Sequence, residues 1–374
     1  MRAEFFFKQK YKTLEIKLPK EMMKSPLAME LFLTTLHQTG GEGTWYDKFW
    51  LGKTRPWFSL EMVSIEGVVR FFIWTREGMR QFIESSLYAQ FPGIEVYDVP
   101  DYAMGVHHDP ESMNIWAAEI MLTKPDPYPI KTYVDYGLDR DPKEEFKVDP
   151  LAPFLEFLGS VGFNQQIWLQ IIIRAHKAER KKGGMHMKFV DGLKEDAEKV
   201  INEILIRDPK TKVSGKPDKD GKMSRVTLTK GEEEIVASIE RNMTKQQFDV
   251  GIRSLYIAKK ENFSPGNISG LLGNWKQFSS ESLNGFKPNG DEGSPSFSFP
   301  WQDYKEIRQN NMRKDMLERY KRRAFFYSPY VGSAFTFSTE ELATVFHFPG
   351  QVAPTPTLTR IPSKKGQPPA NLPI

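Results

Sequence analysis

Cysteine is absent from this 374-residue chain. That excludes zinc ribbons, thiolate clusters and cysteine nucleophiles, and suits a reducing compartment. Long apolar runs are missing too. The longest candidate, residues 167–173 (IWLQIII), contains Gln170 and has strand length, far short of the roughly 18 to 20 residues of a membrane span. The opening MRAEFFFKQKYK carries too short an apolar patch for a secretory signal. A soluble, cytoplasmic chain is therefore expected. Charge of one sign is not in large excess: a net +4 permits contact with nucleic acid or an acidic membrane surface without arguing for either.

Catalytic patterns are scarce. The six histidines are scattered, and none of His37, His176, His186 or His347 has a Ser or carboxylate partner at a spacing that one helix face or strand would bring together. Gly52-Lys53-Thr54 imitates the end of a phosphate-binding loop. That loop needs a glycine where Asp47 stands, and bulky Phe49 and Trp50 occupy the part whose backbone must wrap phosphate. An ordinary loop packed by its aromatics is expected over residues 40–56. His107, His108 and Asp109 invite a metal reading, but adjacent loop side chains point apart and no second cluster accompanies them, so a solvated loop is expected. Asp218, Asp220 and Gly221 echo a calcium loop without its further acidic positions. On its own residues the chain is expected not to be an enzyme, with no catalytic, cofactor or metal residue to name.

What is present is α+β patterning. Residues 58–65 (FSLEMVSI) and 68–74 (VVRFFIW) are rich in β-branched and aromatic residues and meet at Glu66-Gly67, which predicts a hairpin. Met79, Phe82, Ile83 and Leu87 then follow a helical stripe until Pro92-Gly93, and residues 94–99 alternate as a strand. Ahead of this unit lie a strand at 13–18 and a helix opened by Ser25-Pro26, with Ala28, Leu31, Phe32, Thr35 and Leu36 as its buried face. The order βαββαβ predicts a ferredoxin-like (split βαβ) unit over residues 1–110, with helices on one face of an antiparallel sheet.

A second such unit is expected over 111–290. Its strands fall at 113–123, 165–174, 245–258 and near 283–286, its helices start at Asp149-Pro150 and Ser264-Pro265, and a short strand fits at 130–134. Strand 165–174, the most apolar, is expected to be central. Residues 176–244 form a helical insertion with charged helices near 187–207 and 230–242, and residues 287–300 a loop. Residues 291–350 hold a long basic helix at 304–323, with Ile307, Met312, Met316 and Tyr320 along one side, then a strand at 335–337 and a short helix capped by Ser338 with Glu341. Arg313, Lys314, Arg319, Lys321, Arg322 and Arg323, beside Phe325 and Tyr327, are the candidate contacts for nucleic acid or a partner, by phosphate pairing and base stacking. Residues 351–374 are a Pro-rich extended linker.

Several stretches are worded like one family: residues 14–37, the WYDKFWLGKTRPWFSLEMVSIEG core within 45–99, residues 128–150, residues 166–176, and FSTEELATVFHFPG followed by RIPSKKGQPPANLP. They resemble the domain in front of the motor in conjugation-type, type IV secretion-like P-loop ATPases of candidate-phyla bacteria. The Ser338 segment is similar to the one that precedes the P-loop domain in conjugation and DNA-translocation ATPases. The resemblance implies an accessory domain at the cytoplasmic face of the inner membrane, contacting neighbouring subunits or substrate. No Walker motif residue can be carried over, so ATP and Mg are expected only in the motor domain, in cis or in trans. The implied partners are that ATPase domain, other secretion-system subunits and DNA, with the membrane reached indirectly and a homo-oligomer in the full assembly. The alternative is a stand-alone nucleic-acid-binding module using helix 304–323.

Overall fold

The computed structural model describes residues 2–19, 24–139, 148–183, 186–205, 228–293, 299–350 and 360–361. A short helix α1 (Arg2–Phe7) leads into β1 (Tyr11–Pro19), and α2 (Pro26–Leu36) follows with Pro26 in its first turn. β2 (Trp57–Ile65) and β3 (Val68–Arg76) form the expected hairpin, in which Glu66 (φ 53°) and Gly67 (φ 82°) both take the left-handed backbone of a two-residue turn. Then come α3 (Arg80–Gln90), β4 (Glu95–Val99), β5 (Met113–Leu122), α4 (Ala152–Gly159) and β6 (Gln165–Ala175). A hairpin of β7 (Glu179–Gly183) and β8 (His186–Val190), with α5 (Gly192–Ile204) and α6 (Lys230–Thr244), precedes β9 (Gln247–Lys259). α7 (Pro265–Trp275), β10 (Phe286–Gly293), α8 (Ile307–Arg322), the small hairpin β11 (Phe326–Tyr327) and β12 (Tyr330–Val331), β13 (Phe335–Ser338), α9 (Thr339–Val345) and β14 (Arg360–Ile361) complete the order.

Ten of these strands share one sheet in the order β10-β5-β9-β6-β2-β3-β1-β14, with β13 also on β9 and β4 also on β1. Every pairing in it is antiparallel except β1 with β14. Two quartets are visible, β4-β1-β3-β2 and β10-β5-β9-β6, and β2 pairs with β6 across the expected boundary at residue 110. β6 lies between β2 and β9, buried on both faces, which is why it reads as an almost unbroken apolar run.

One face carries the main core. The transverse row Ile73, Leu60, Ile171, Ile252 and Ile120 lies across β3, β2, β6, β9 and β5, and α2, α3, α4, α7 and α9 cover it. The other face is not open: Met316, Leu317 and Tyr320 of α8 pack on Val63, Phe72, Trp168, Leu255 and Ile257. Helices therefore lie on both faces, not on one as the pattern suggested. Side chains alternate along each strand, so a sheet that is apolar on both faces takes helices on both.

Other expectations need correction. In α2 the buried stripe is Met29, Phe32, Leu33 and Leu36, while Leu31 is half-exposed; the phase was misread by one residue. Residues 130–134 form no strand. Their polar groups serve α9 instead: Ile130 N donates to Glu341 Oε1 (3.0 Å), Tyr133 N to Thr344 Oγ1 (2.9 Å) and Thr132 Oγ1 to Glu340 Oε1 (2.7 Å). The insertion is not wholly helical, since residues 186–190 belong to a strand. Residues 286–293, expected as loop beyond Phe286, extend β10 along β5. In α8 the inward positions are Met316, Leu317 and Tyr320, and Ile307 is exposed. The strand expected at 335–337 is present as β13 and adds to the main sheet on β9. The calcium-like Asp218, Asp220 and Gly221 and most of the 351–374 linker lie outside the described residues. Among the described residues no helix is long and apolar enough to cross a membrane.

Candidate functional site

The row next to the apolar one points to the opposite face and is polar. Phe72, Glu61, Gln170, Arg253 and Glu119 lie side by side on β3, β2, β6, β9 and β5. Each polar member is buried, so each must find a partner there. Arg253 Nε donates to Glu119 Oε1 (3.0 Å), and its two terminal nitrogens donate to the carbonyls of Arg319 (3.1 Å) and Ala324 (2.8 Å). Gln170 Nε2 donates to Tyr320 O (3.1 Å). The sheet thus grips the C-terminal end of α8 and the residues after it by their backbone carbonyls.

Arg323 closes that turn. Ala324 N donates to Arg319 O and Arg323 N to Tyr320 O, with Arg323 at φ 47° in the left-handed position that usually falls to glycine. A residue with a side chain is held there by its guanidinium, which is fully buried. It meets Glu61 through Nε (2.9 Å) and Nη2 (3.1 Å), and also pairs with Asp101. Tyr102 adds a hydroxyl donor to Glu61 Oε2 (2.8 Å) and shares a hydrogen bond with Tyr320 (2.7 Å). Burial, and then the adjacent Glu61 carboxylate, push both phenols well above their ordinary value, so they stay protonated.

Beside this network the chain leaves a cavity of about 510 Å³ at the end of the sheet where β1 and β2 begin and β3 ends. Tyr11 and Trp74 stack on one wall with ring centroids 4.2 Å apart. Trp57, whose Nε1 donates to Arg323 O (3.1 Å), contacts Phe6 of α1 and Tyr327 of the β11–β12 hairpin. Arg174 lies over the rings of Phe326 and Tyr327, 4.4 and 5.2 Å from their centroids. The floor is the Phe325 ring, which rests on Gly251 of β9; any side chain at that glycine would run into the ring.

The basic residues singled out from the sequence separate into three groups. Lys321, Arg322, Arg323, Phe325 and Tyr327 all line the cavity. Arg323, Phe325, Lys321 and Tyr327 are nevertheless buried, so they shape its wall more than its mouth, and Arg322 is the exposed cation of the five. Arg319 pairs with Asp315 (2.7 Å) and lies over Tyr330. Arg313 and Lys314 stand in the middle of α8 and do not line the cavity; there Arg313 bonds to Gln309 (2.8 Å) and Lys314 is exposed.

Two histidine pairs escaped the sequence reading. His176 Nδ1 lies 2.6 Å from Asp249, which also takes Arg174, and His347 Nε2 lies 3.1 Å from Asp149. The partners are 73 and 198 residues apart in sequence, beyond any local spacing rule. His347 Nδ1 faces Ala343 O (2.9 Å), so both ring nitrogens face acceptors, and the imidazolium fits the site. Asp109 is occupied by Ser112 and by the backbone of Glu111. Among the described residues no group of His, Asp and Glu is placed to hold a metal.

Over residues 3–360 the chain matches the model of a family described as a domain of unknown function (DUF8128). No curated protein matches it. Among solved structures it is similar to the xylooligosaccharide oxidase from Myceliophthora thermophila C1 in complex with xylobiose, at 10% identity and a TM-score of 0.28. It is also similar to a chitooligosaccharide oxidase, at 13% identity and the same TM-score. Each match covers 95% of this chain and 56% of the other, so the chain spans just over half the length of either. The expectation that this chain is not an enzyme is withdrawn on that finding, since both neighbours are enzymes. At a TM-score of 0.28 their reaction is not carried over to this chain.

Proposed function

We propose that this chain, which belongs to the DUF8128 family, is the assembly domain set in front of the motor of a conjugation-type, type IV secretion-like ATPase. In this reading it works at the cytoplasmic face of the inner membrane, oligomerises in the full assembly and contacts other secretion subunits, and the motor holds ATP and Mg. The observation that supports it is how FSTEELATVFHFPG is built in. β13 pairs with β9, every residue of α9 is buried, and beyond it Arg360 and Ile361 pair with β1. A motor joined beyond this segment would pull on a strand of each quartet. The orders β4-β1-β3-β2 and β10-β5-β9-β6 support a finer reading of the sheet as two ferredoxin-like units joined edge to edge. The test is to read the DNA around the coding region. The reading frame or its neighbour should encode GxxxxGK[ST], and a region without any such motor sinks the proposal.

A second reading, nucleic-acid binding, has the cavity in its favour. Its stacked aromatic wall and exposed Arg322 suit one unpaired base with its phosphate. A labelled oligothymidine should bind more weakly as salt rises, and Arg322→Glu should lower both the affinity and the salt slope. Unchanged binding in that variant removes the reading.

A further inference from the structure

The loop expected to be packed by its own aromatics does the opposite. Across residues 45–51 (WYDKFWL), Trp45 is 70% exposed, Tyr46 52%, Phe49 59%, Trp50 56% and Leu51 38%. Exposed apolar side chains scattered singly need no explanation, but five within seven residues form a patch.

The patch is presented on a fixed support. Residues 46–50 make one π-helical turn. Thr44 Oγ1 donates to Asp47 Oδ2 (2.7 Å) and Lys53 Nζ to Asp47 Oδ1 (2.9 Å), while Lys53 N returns to Asp47 O (2.9 Å). The stem is anchored in the body of the protein: buried Arg55 reaches Glu42 (3.2 Å) and Ala175 O (2.5 Å), and Arg76 donates to Thr54 Oγ1 (2.7 Å). The rings pair with one another, Trp45 with Phe49 at 5.8 Å and Tyr46 with Trp50 at 6.4 Å between centroids. The side chains thus project as a convex, pre-ordered knob.

We propose that this turn is a membrane contact, seating Trp45, Tyr46, Phe49 and Trp50 at the boundary between headgroups and acyl chains of a bilayer that contains anionic phospholipid. Three features favour a lipid surface over a protein groove. Trp and Tyr join an apolar body to a polar edge, the combination that settles at membrane interfaces. Asp47, the acidic residue of the turn, is neutralised by Lys53, while exposed Lys48 stands beside the rings, free to reach headgroup phosphates. Helix α1 adds to the same end: Arg76, which binds the stem, also lies over Phe5, two residues from the 93% exposed Phe7. The inference rests on the turn, with α1 beside its stem, and stands whether or not a secretion motor is found.

The full chain should co-sediment with vesicles of phosphatidylcholine mixed with phosphatidylglycerol, and less with phosphatidylcholine alone. The triple variant Trp45→Ser, Phe49→Ser, Trp50→Ser should lose about tenfold or more of that binding, and Lys48→Glu should weaken it most at low salt. The substituted side chains are exposed, and an unchanged melting temperature checks that the fold is kept. Acyl-brominated lipid should quench tryptophan emission in the native chain, and less in Trp45→Phe, Trp50→Phe. The proposal is overturned if the native chain stays in the supernatant with both vesicle types, or if the triple variant sediments equally well. It is also overturned if the triple variant abolishes self-association of a chain that ignores vesicles, which would make the turn a contact between copies.

Discussion

Two neighbouring rows of the sheet, one residue apart on every strand, are built on opposite principles. Ile73, Leu60, Ile171, Ile252 and Ile120 make a dry row whose stability comes from area removed from water. Phe72, Glu61, Gln170, Arg253 and Glu119 make a polar row whose charges must be matched atom by atom, and α8 with Arg323 completes the match. Apolar contact is non-directional and tolerates a shifted helix. The polar row does not, so it sets where the end of α8 and the cavity beside it sit.

The comparison breaks most visibly at Arg323. Arg323→Ala leaves the Glu61 carboxylate buried without its cation and should cost about 4 kcal/mol by chemical denaturation. Glu61→Gln combined with Arg323→Met should lose less than the single change, because the fully buried charge is gone and only Asp101, less deeply buried, is left without its cation. On the apolar side, Leu155→Ala in α4 should cost about 3 kcal/mol, the loss of a buried side chain plus the cavity it leaves. Should Leu155→Ala exceed Arg323→Ala, the polar row would not be the stricter of the two.

A third test uses pH on α9. Burial, working against the N–H groups that favour the ionised form, pushes the Glu341 carboxyl up to about 8 from an ordinary 4.5. Burial also opposes the charge on His347, yet Asp149 holds its imidazole above the ordinary 6.5. Both groups bind protons more tightly when folded. Their contribution is complete below the ordinary values and is lost as pH rises through the raised ones. Asp149, held below the usual carboxylate value by His347 and backbone N–H groups although burial opposes it, acts in the other direction, losing its contribution only as strong acid protonates it. The melting temperature should therefore fall between about pH 4.5 and about pH 8, with His347 adding to the fall above about pH 6.5, and Glu341→Gln should flatten the Glu341 part of that fall. A slope unchanged by Glu341→Gln would deny this residue its part. The smallest effect belongs to Leu31→Lys: on the outer side of α2 it should shift stability by no more than about 0.5 kcal/mol, whereas a loss above about 2 would restore the phase first read from the sequence.

Much of the fold was legible because it is local. Glu66-Gly67 announced a turn that glycine makes cheap, the 58–74 alternation announced the hairpin around it, and Ser338 with Glu341 announced the cap of α9, whose reciprocal hydrogen bonds are present. Leu31 was misplaced because apolar residues on both sides of α2 blur a 3.6-residue period. The candidate site was half legible. Basic residues beside aromatics marked the stretch that lines the cavity, but nothing local told Arg322, at the surface, from Arg323 beside it, buried under two carboxylates. The exposed rings of 45–51 were misread for a related reason: apolar composition argues for burial, and only a turn that none of the described residues covers reverses that expectation.

Sequence alone determined the alternation of strands and helices, the turns and caps between them, and the absence of thiol chemistry, since each depends on residues a few positions apart. Tertiary structure decided that one sheet runs through both halves, that charge lies beneath α8, that His347 meets Asp149, and that a cavity opens beside Arg323. These outcomes rest on contacts between residues far apart in the chain, 262 positions for Glu61 and Arg323. Burial then sets the strength of each contact, because a charge that water would screen in the unfolded chain must be answered by a partner in the folded one.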